Sequence, residues 1–254
     1  MRTIIVGDVH GCYEELCELL ELVNLVQGTD KLVFLGDLID RGPFPEKVVK
    51  LARKIEARLV MGNHEEKFLR WYNYEAIRRL GGKKNPMKPH EDRIKEWEKF
   101  EMLDISYMMA AEPFIRMRAK GIDWLLTHGG VPFDKPLIDQ DRKKLCRTRY
   151  LDVTTGAYAG DSDPRKTPDG AAFWTKVYKG PESVIYGHIV FKEGTNVEEV
   201  APGVICAGID TGCCFGGDLT AVIFEDGEQK KEPFATVSVP AKKEYFPRMQ
   251  DVES

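Results

Sequence analysis

The chain has 254 residues, 43% of them hydrophobic, and its 37 Lys and Arg against 41 Asp and Glu leave a formal net charge of −4. That length suits one sizeable domain, the near balance of charge gives no global drive toward nucleic acid or anionic membrane, and no stretch approaches the roughly 20 apolar residues of a membrane span. The opening MRTIIVGD lacks a signal-peptide pattern, and six scattered cysteines without a CxxC pair (Cys12, Cys17, Cys146, Cys206, Cys213, Cys214) fit small buried thiols in a reducing cytoplasm.

In chain order, TIIVG is a short β-branched strand, and YEELCELLELVNL puts Leu16, Leu19, Leu20 and Val23 at helical spacing. KLVFLG is a second strand, PEKVVKLARKIEA a helix with proline at its start, and ARLVMG a third strand. Strand-helix-strand-helix-strand predicts parallel pairing and an α/β core, whose functional groups gather where strands end. From Glu65 to about Ala111 the pattern is helical and rich in aromatics, broken by GGKKNPMKP. IDWLLTHGG is another strand, residues 132–170 read as a long and largely irregular crossing, and SVIYGH, GVICAGID, LTAVIFED and FATVSVP are strands with turns between them. The expected organisation is one domain over residues 1–240 with a cap-like helical insertion at about 66–111, and a surface tail at 241–254.

Each of the first three strands ends in glycine and a polar cluster: GDVHG, GDLIDRG, GNHE. His10, His64, His128 and His188 all follow apolar runs in this way, whereas His90 lies in an exposed loop. A lone histidine or an Asp-x-His after a strand is ordinarily turn chemistry or a satisfied polar group. Four in one context point to a shared site. Asp8, His10, Asp37, Asn63, His128 and His188 offer carboxylate, imidazole and amide donors without thiolate, the supply a pair of divalent cations needs. Alternation along an extended segment would place Asp8 and His10 on one side.

In order and spacing, GDVHG, GDLIDRG, GNHE, HGG and a late GH resemble the metallophosphoesterase (calcineurin-like) superfamily over roughly residues 3–225. They look most like its phosphoprotein-phosphatase type, which includes bacterial and phage serine/threonine phosphatases and diadenosine-tetraphosphate hydrolases. The resemblance implies a four-layer αββα sandwich of two central sheets flanked by helices. It implies one metal on Asp8, His10 and Asp37, and a second on the shared Asp37 with Asn63, His128 and His188. The ions would be divalent, manganese first, iron or zinc as alternatives. His64 would protonate the leaving oxygen with Asp40 orienting it, and Arg41 would bind phosphoryl oxygens. A hydroxide bridging the metals would attack phosphorus in line, with no covalent intermediate. The cysteines do not read as nucleophiles, since Arg147 directly follows Cys146.

The chain departs from that pattern twice. Ile189 stands where threonine often follows the last Gly-His, and KKLCRTRYLD offers Arg147 and Arg149 as the second phosphate-binding arginine without a tryptophan before them. Arg147 is slightly preferred, because Arg149 could pair with Asp152. The segment IDTGCCFGGDLTAVIF resembles one in bacterial dinucleoside-tetraphosphate hydrolases, of which phage-type protein phosphatases carry a version too, with Asp210 either orienting a histidine or making a turn. Between Ala76 and Lys95, Arg78, Arg79, Lys83, Lys84, Lys88, Arg93 and Lys95 stand against Glu91 and Asp92, flanked by Trp71, Tyr72, Tyr74 and Trp97. This is either a polyphosphate- and base-binding surface or, more ordinarily, a solvated helix face with its aromatics packed inward. The expected substrate is a phosphoprotein, a nucleotide or another phosphorylated small molecule, with nucleic acid and membrane not expected, on a monomer or small homo-oligomer. A metal-binding regulatory protein without activity is the alternative, against which the intact His64, Asp40 and Arg41 argue.

Overall fold

A computed structural model describes residues 1–160, 166–225 and 233–247. The chain opens with β1 (Arg2–Val6), α1 (Tyr13–Leu22), β2 (Lys31–Phe34), α2 (Pro45–Lys54) and β3 (Arg58–Leu59), followed by α3 (Asn63–Arg79), α4 (Glu91–Trp97) and α5 (Met102–Met109). The hairpin β4 (Ile115–Ala119) and β5 (Ile122–Thr127) leads through α6 (Arg142–Leu145) to β6 (Tyr150–Asp152), β7 (Tyr158–Ala159), β8 (Ala171–Phe173) and α7 (Trp174–Val177). Then come β9 (Ser183–Tyr186), β10 (Asn196–Ala201), β11 (Val204–Gly208), β12 (Asp218–Glu225) and β13 (Ala235–Pro240). Among the described residues no helix is long and apolar enough to cross a membrane.

Two five-stranded sheets form the centre, ordered β13-β12-β1-β2-β3 and β10-β11-β9-β5-β4. Alternation assigns the faces. Ile5, Val33 and Leu35 meet Trp124, Leu126, Ile185 and Ala207 between the sheets. Ile4, Val6 and Phe34 face outward onto Leu16 and Leu19 of α1 and Val48, Val49 and Ala52 of α2. On the second sheet's outer face Leu125, Val184 and Cys206 pack under Leu151, Trp174 and Tyr178. The fold is therefore the four-layer sandwich, with helices on the outside of each sheet.

Within the stretch read as irregular, β6, β7 and β8 make a small antiparallel sheet of order β7-β6-β8. Strands of two or three residues are too short to show an alternation in sequence, which is why the pattern missed them. Residues 161–165 of that stretch, and 248–254 of the expected tail, lie outside the described residues. Tyr245 donates from its hydroxyl to Glu15 at 2.6 Å and from its backbone to Cys214 O at 3.0 Å, holding this end of the chain against α1.

β1 runs parallel to β2, and β2 to β3; β9 runs parallel to both β5 and β11. Parallel neighbours end on the same side, so the loops after β1, β2 and β3 open together, as do those after β5, β9 and β11. The two groups of loops meet.

Candidate active site

Asp37, in the loop after β2, lies at the meeting point. Its Oδ2 is 3.5 Å from His10 Nε2 and its Oδ1 is 3.3 Å from His128 Nε2. Ligand-capable atoms of Asp37, His128 and His188 lie within 4.8 Å of one another, as do those of His10, Asp37 and His64. Asp8 Oδ2 is 3.9 Å from His10 Nε2, and the backbone N–H of His188 donates to Asp8 Oδ1 at 3.1 Å. The expected ligands Asp8, His10, Asp37, Asn63, His128 and His188 are thus brought together from both sheets.

The donor set suits cations. His10 Nδ1 lies 2.9 Å from Ile39 O and His128 Nδ1 lies 2.8 Å from Leu35 O. A carbonyl can only accept, so these nitrogens carry protons and each Nε2 faces Asp37. Asn63 Oδ1 is 3.0 Å from His128 Nε2, so this amide oxygen and Asp37 Oδ1 converge on one nitrogen, an arrangement that a proton or a divalent ion satisfies. Burial opposes a positive charge on His128, yet the carboxylates of Asp37 and Asp8 outweigh it and raise its pKa to about 9. Burial also resists charge on Asp37, but His128, His64 and His10 hold its carboxyl well below the usual range. Burial, helped by Arg41 and Arg149 respectively, keeps His10 and His188 neutral, which is the ligating form. Asp8 is raised by burial and by neighbouring Asp210.

The backbone is bent hard to achieve this. His10, Asp37, Asp40, Arg41 and His188 have φ of 46°, 50°, 67°, 70° and 64°, left-handed values that cost a non-glycine residue about 1 kcal/mol or more each. Asp8 and His10 therefore do not share a side through extended alternation. A tight turn brings them together, closed by the N–H groups of Val9 and His10 on Asp37 O at 3.2 and 2.8 Å. The loops approach so closely that a side chain at Gly62 would collide with Asp37, and one at Gly187 with Asp8. Only glycine permits that contact.

The glutamate of GNHE has a task that the motif itself does not announce. Glu65 is buried, and its carboxylate accepts the backbone N–H groups of Asp37 at 2.8 Å, Leu38 at 2.8 Å and Ile39 at 3.3 Å. It clamps the strained Asp37 loop onto α3. An acidic residue in the first turn of a helix is ordinary, so the sequence offers no signal that separates Glu65 from a solvated helix start.

Beside this cluster His64 Nδ1 meets Asp40 Oδ2 at 2.5 Å. The other Asp40 oxygen accepts from Trp97 Nε1 at 2.9 Å, and Arg93 Nε lies 3.4 Å from Oδ2. Burial opposes ionisation of Asp40, but His64, Arg93 and Trp97 together keep its carboxyl below the ordinary range. A carboxylate fixed in this way holds a proton on Nδ1 and turns His64 Nε2 toward the metal cluster, 3.8 Å from Asp37 Oδ2. Trp97 and Arg93 come from α4, so the helical segment braces this pair.

Arg41 lies with Nη1 2.7 Å from His10 Nε2 and its guanidinium 4.9 Å over the Phe215 ring. Arg147 donates from Nη2 to Asn63 O at 3.0 Å and pairs with Glu66 at 2.7 Å; Arg149 Nε donates to His188 Nε2 at 3.2 Å. Both reach the cluster, so neither arginine is set aside. Asp152 is occupied with the N–H groups of Thr154 and Thr155 at 3.0 and 2.7 Å. Asp210 makes a turn, accepting from Gly212 N–H at 2.9 Å. Arg41, Arg147 and Arg149 open onto a cavity of about 310 Å³ that Asn63 and His188 also line.

The basic and aromatic surface of residues 76–95 takes its ordinary form for the most part, although Tyr74 beside it is exposed. Trp71, Trp97 and Phe100 are buried around Phe68, while Arg78 and Arg79 pair with Glu75 and Lys95 with Asp92. The cysteines are buried, Cys17 less so than the others. Burial pushes the Cys146 thiol up to about 12, which suits no nucleophile. Cys12, Cys213 and Glu15 form a separate buried group.

Comparison with known proteins fits this geometry. The chain is 30% identical to a bis(5'-nucleosyl)-tetraphosphatase PrpE (asymmetrical) of Anoxybacillus flavithermus, over 95% of each chain. It is 27% identical to a symmetrical bis(5'-nucleosyl)-tetraphosphatase of Citrobacter koseri, over 92% of this chain and 95% of that one. A crystal structure provisionally described as a diadenosine tetraphosphatase superposes with a TM-score of 0.72 at 28% identity, covering 94% of this chain and 93% of the other. The model of the calcineurin-like phosphoesterases matches residues 1–192, and the chain belongs to that family.

Proposed function

We propose that this phosphoesterase hydrolyses dinucleoside polyphosphates of the diadenosine tetraphosphate kind, using two divalent cations held across Asp37. The single observation that carries it is Asp37 set between two groups of imidazoles, one of which includes His188 in the wall of an arginine-lined cavity. The names of the relatives support this substrate over a phosphoprotein. Asp8, His10 and Asp37 would hold one ion, and Asp37, Asn63, His128 and His188 the other. Oxygen and nitrogen ligation suits manganese first, with iron or zinc compatible. When bound, the pair supplies a nucleophile from water near neutral pH and neutralises phosphoryl charge.

The chain's own residues do the rest. Arg41, with Arg147 or Arg149, grips the phosphoryl oxygens and orients the scissile phosphoanhydride. His64 carries a proton on Nε2 and passes it to the leaving oxygen, while Asp40 on Nδ1 holds the ring in place and stabilises its charged form. Trp97 and Arg93 keep Asp40 ionised and still. Asp8 receives the His188 backbone N–H and so ties the two sheets together at the site. Residues 1–240 act as one catalytic unit, with the helices between about 66 and 111 as an insertion that braces His64, and the buried thiols suit a reducing cytoplasm.

A metal-supplemented panel tests this: diadenosine tetraphosphate, a phosphoserine peptide and p-nitrophenyl phosphate with Mn²⁺ present. Nucleotide release from the first with little peptide turnover is expected. Turnover of the peptide alone would replace the substrate, and no turnover of any would favour a binding role.

A further inference from the structure

The cavity beside the Asp37 cluster holds more than the phosphate-binding arginines. With Arg41, Asn63 and His188, its described wall includes Arg147, Arg149, Lys166, Tyr150 and Tyr158, and no acidic residue is among the described ones. Tyr158 belongs to the small sheet that the sequence pattern missed. Its ring lies so close across Gly160 that a side chain there would strike the hydroxyl and ring carbons, and Lys144 Nζ stands 5.9 Å over the ring. The ring thus rests on backbone in a wall that also carries Arg147, Arg149 and Lys166.

We infer that this arm binds one nucleotide end of the substrate: Arg147, Arg149 and Lys166 follow the polyphosphate chain away from the metals, and Tyr158 stacks on the terminal base. The inference rests on the substrate proposed above and names the residues that select it. A polyphosphate spreads negative charge along its length, so it profits from cations in a row, whereas a single phosphate group needs only those at the metals. A base offers a flat π face, which an aromatic ring binds with little regard for its identity. At about 310 Å³ the cavity is at the small end of ligand pockets, with room for one nucleotide end while the other lies outside. The other aromatic cavity, about 270 Å³ beside Trp71 and Tyr72, sets Glu75 and Glu98 against a single Arg79 that already pairs with Glu75, so it offers no spare cation to a phosphate.

The test compares KM for diadenosine tetraphosphate with the inhibition constant of inorganic tripolyphosphate, which lacks a base, in the metal-loaded protein. Tyr158→Ala should raise the former about tenfold and the latter less than about twofold. Tyr158→Phe should restore the wild-type KM, which separates loss of the ring from damage to the fold. Lys166→Gln should weaken both ligands together. If the wild-type protein cleaves the dinucleotide but Tyr158→Ala shifts neither constant, or shifts both equally, the arm is wrong and the substrate stands. If the wild-type protein cleaves only phosphopeptide, both are wrong.

Discussion

The two sheets contribute to the site in different ways. The loops after β1 and β2 and the start of α3 carry Asp8, His10, Asp37, Asp40, Arg41, Asn63 and His64 in compact motifs, several at left-handed φ and tied together by backbone bonds. The loops after β5 and β9 bring His128 and His188, and the long connection between those strands adds Arg147 and Arg149, just before the small sheet, and Tyr158 within it. The first side carries four of the five strained site residues, and His188 on the second is the fifth; under the proposed function the second side also supplies residues that meet the substrate.

Substitutions should divide along the same line. Asp37→Asn, at the junction, should lower kcat by on the order of 10³-fold or more and reduce bound metal, measured by steady-state kinetics and elemental analysis. His64→Asn should keep both metals and slow turnover by about 10²- to 10⁴-fold, most with poor leaving groups. Loss of metal in that variant would make His64 a ligand instead. Trp97→Phe removes a donor from buried Asp40 and should cost about tenfold in kcat with metal content and KM little changed. On the second side, Arg147→Ala and Arg149→Ala should act mainly through KM, and the larger effect identifies the main phosphate contact. Arg78→Ala, on the exposed face of α3, should change kcat/KM less than about twofold; a large effect would return the basic surface to the substrate.

Legibility follows the same division. The first three strands announce themselves because each pairs a β-branched run with a glycine and a polar cluster within a few residues. His128 and His188 are readable for the same reason, each closing an apolar strand. Glu65 was not, because its partners are backbone N–H groups, which leave no pattern in sequence. Nor was the bend at His10: the side-chain types were correct while the extended geometry assumed for them was not. Tyr158 was invisible because a two-residue strand has no periodicity, and its neighbour Gly160 reads only as a turn. The aromatics of residues 71–100 were visible but ambiguous, since a core face and a binding face share a composition, and burial alone separates them.

The most direct measurement is the number and place of the metals: anomalous diffraction from crystals grown with Mn²⁺, with elemental analysis in solution. Two peaks flanking the Asp37 carboxylate, one beside His10 and one beside His128 and His188, are predicted, with about two ions per chain. A single ion, or a peak at Cys12, Glu15 and Cys213 with none at Asp37, would contradict a site built by both sheets around a shared carboxylate.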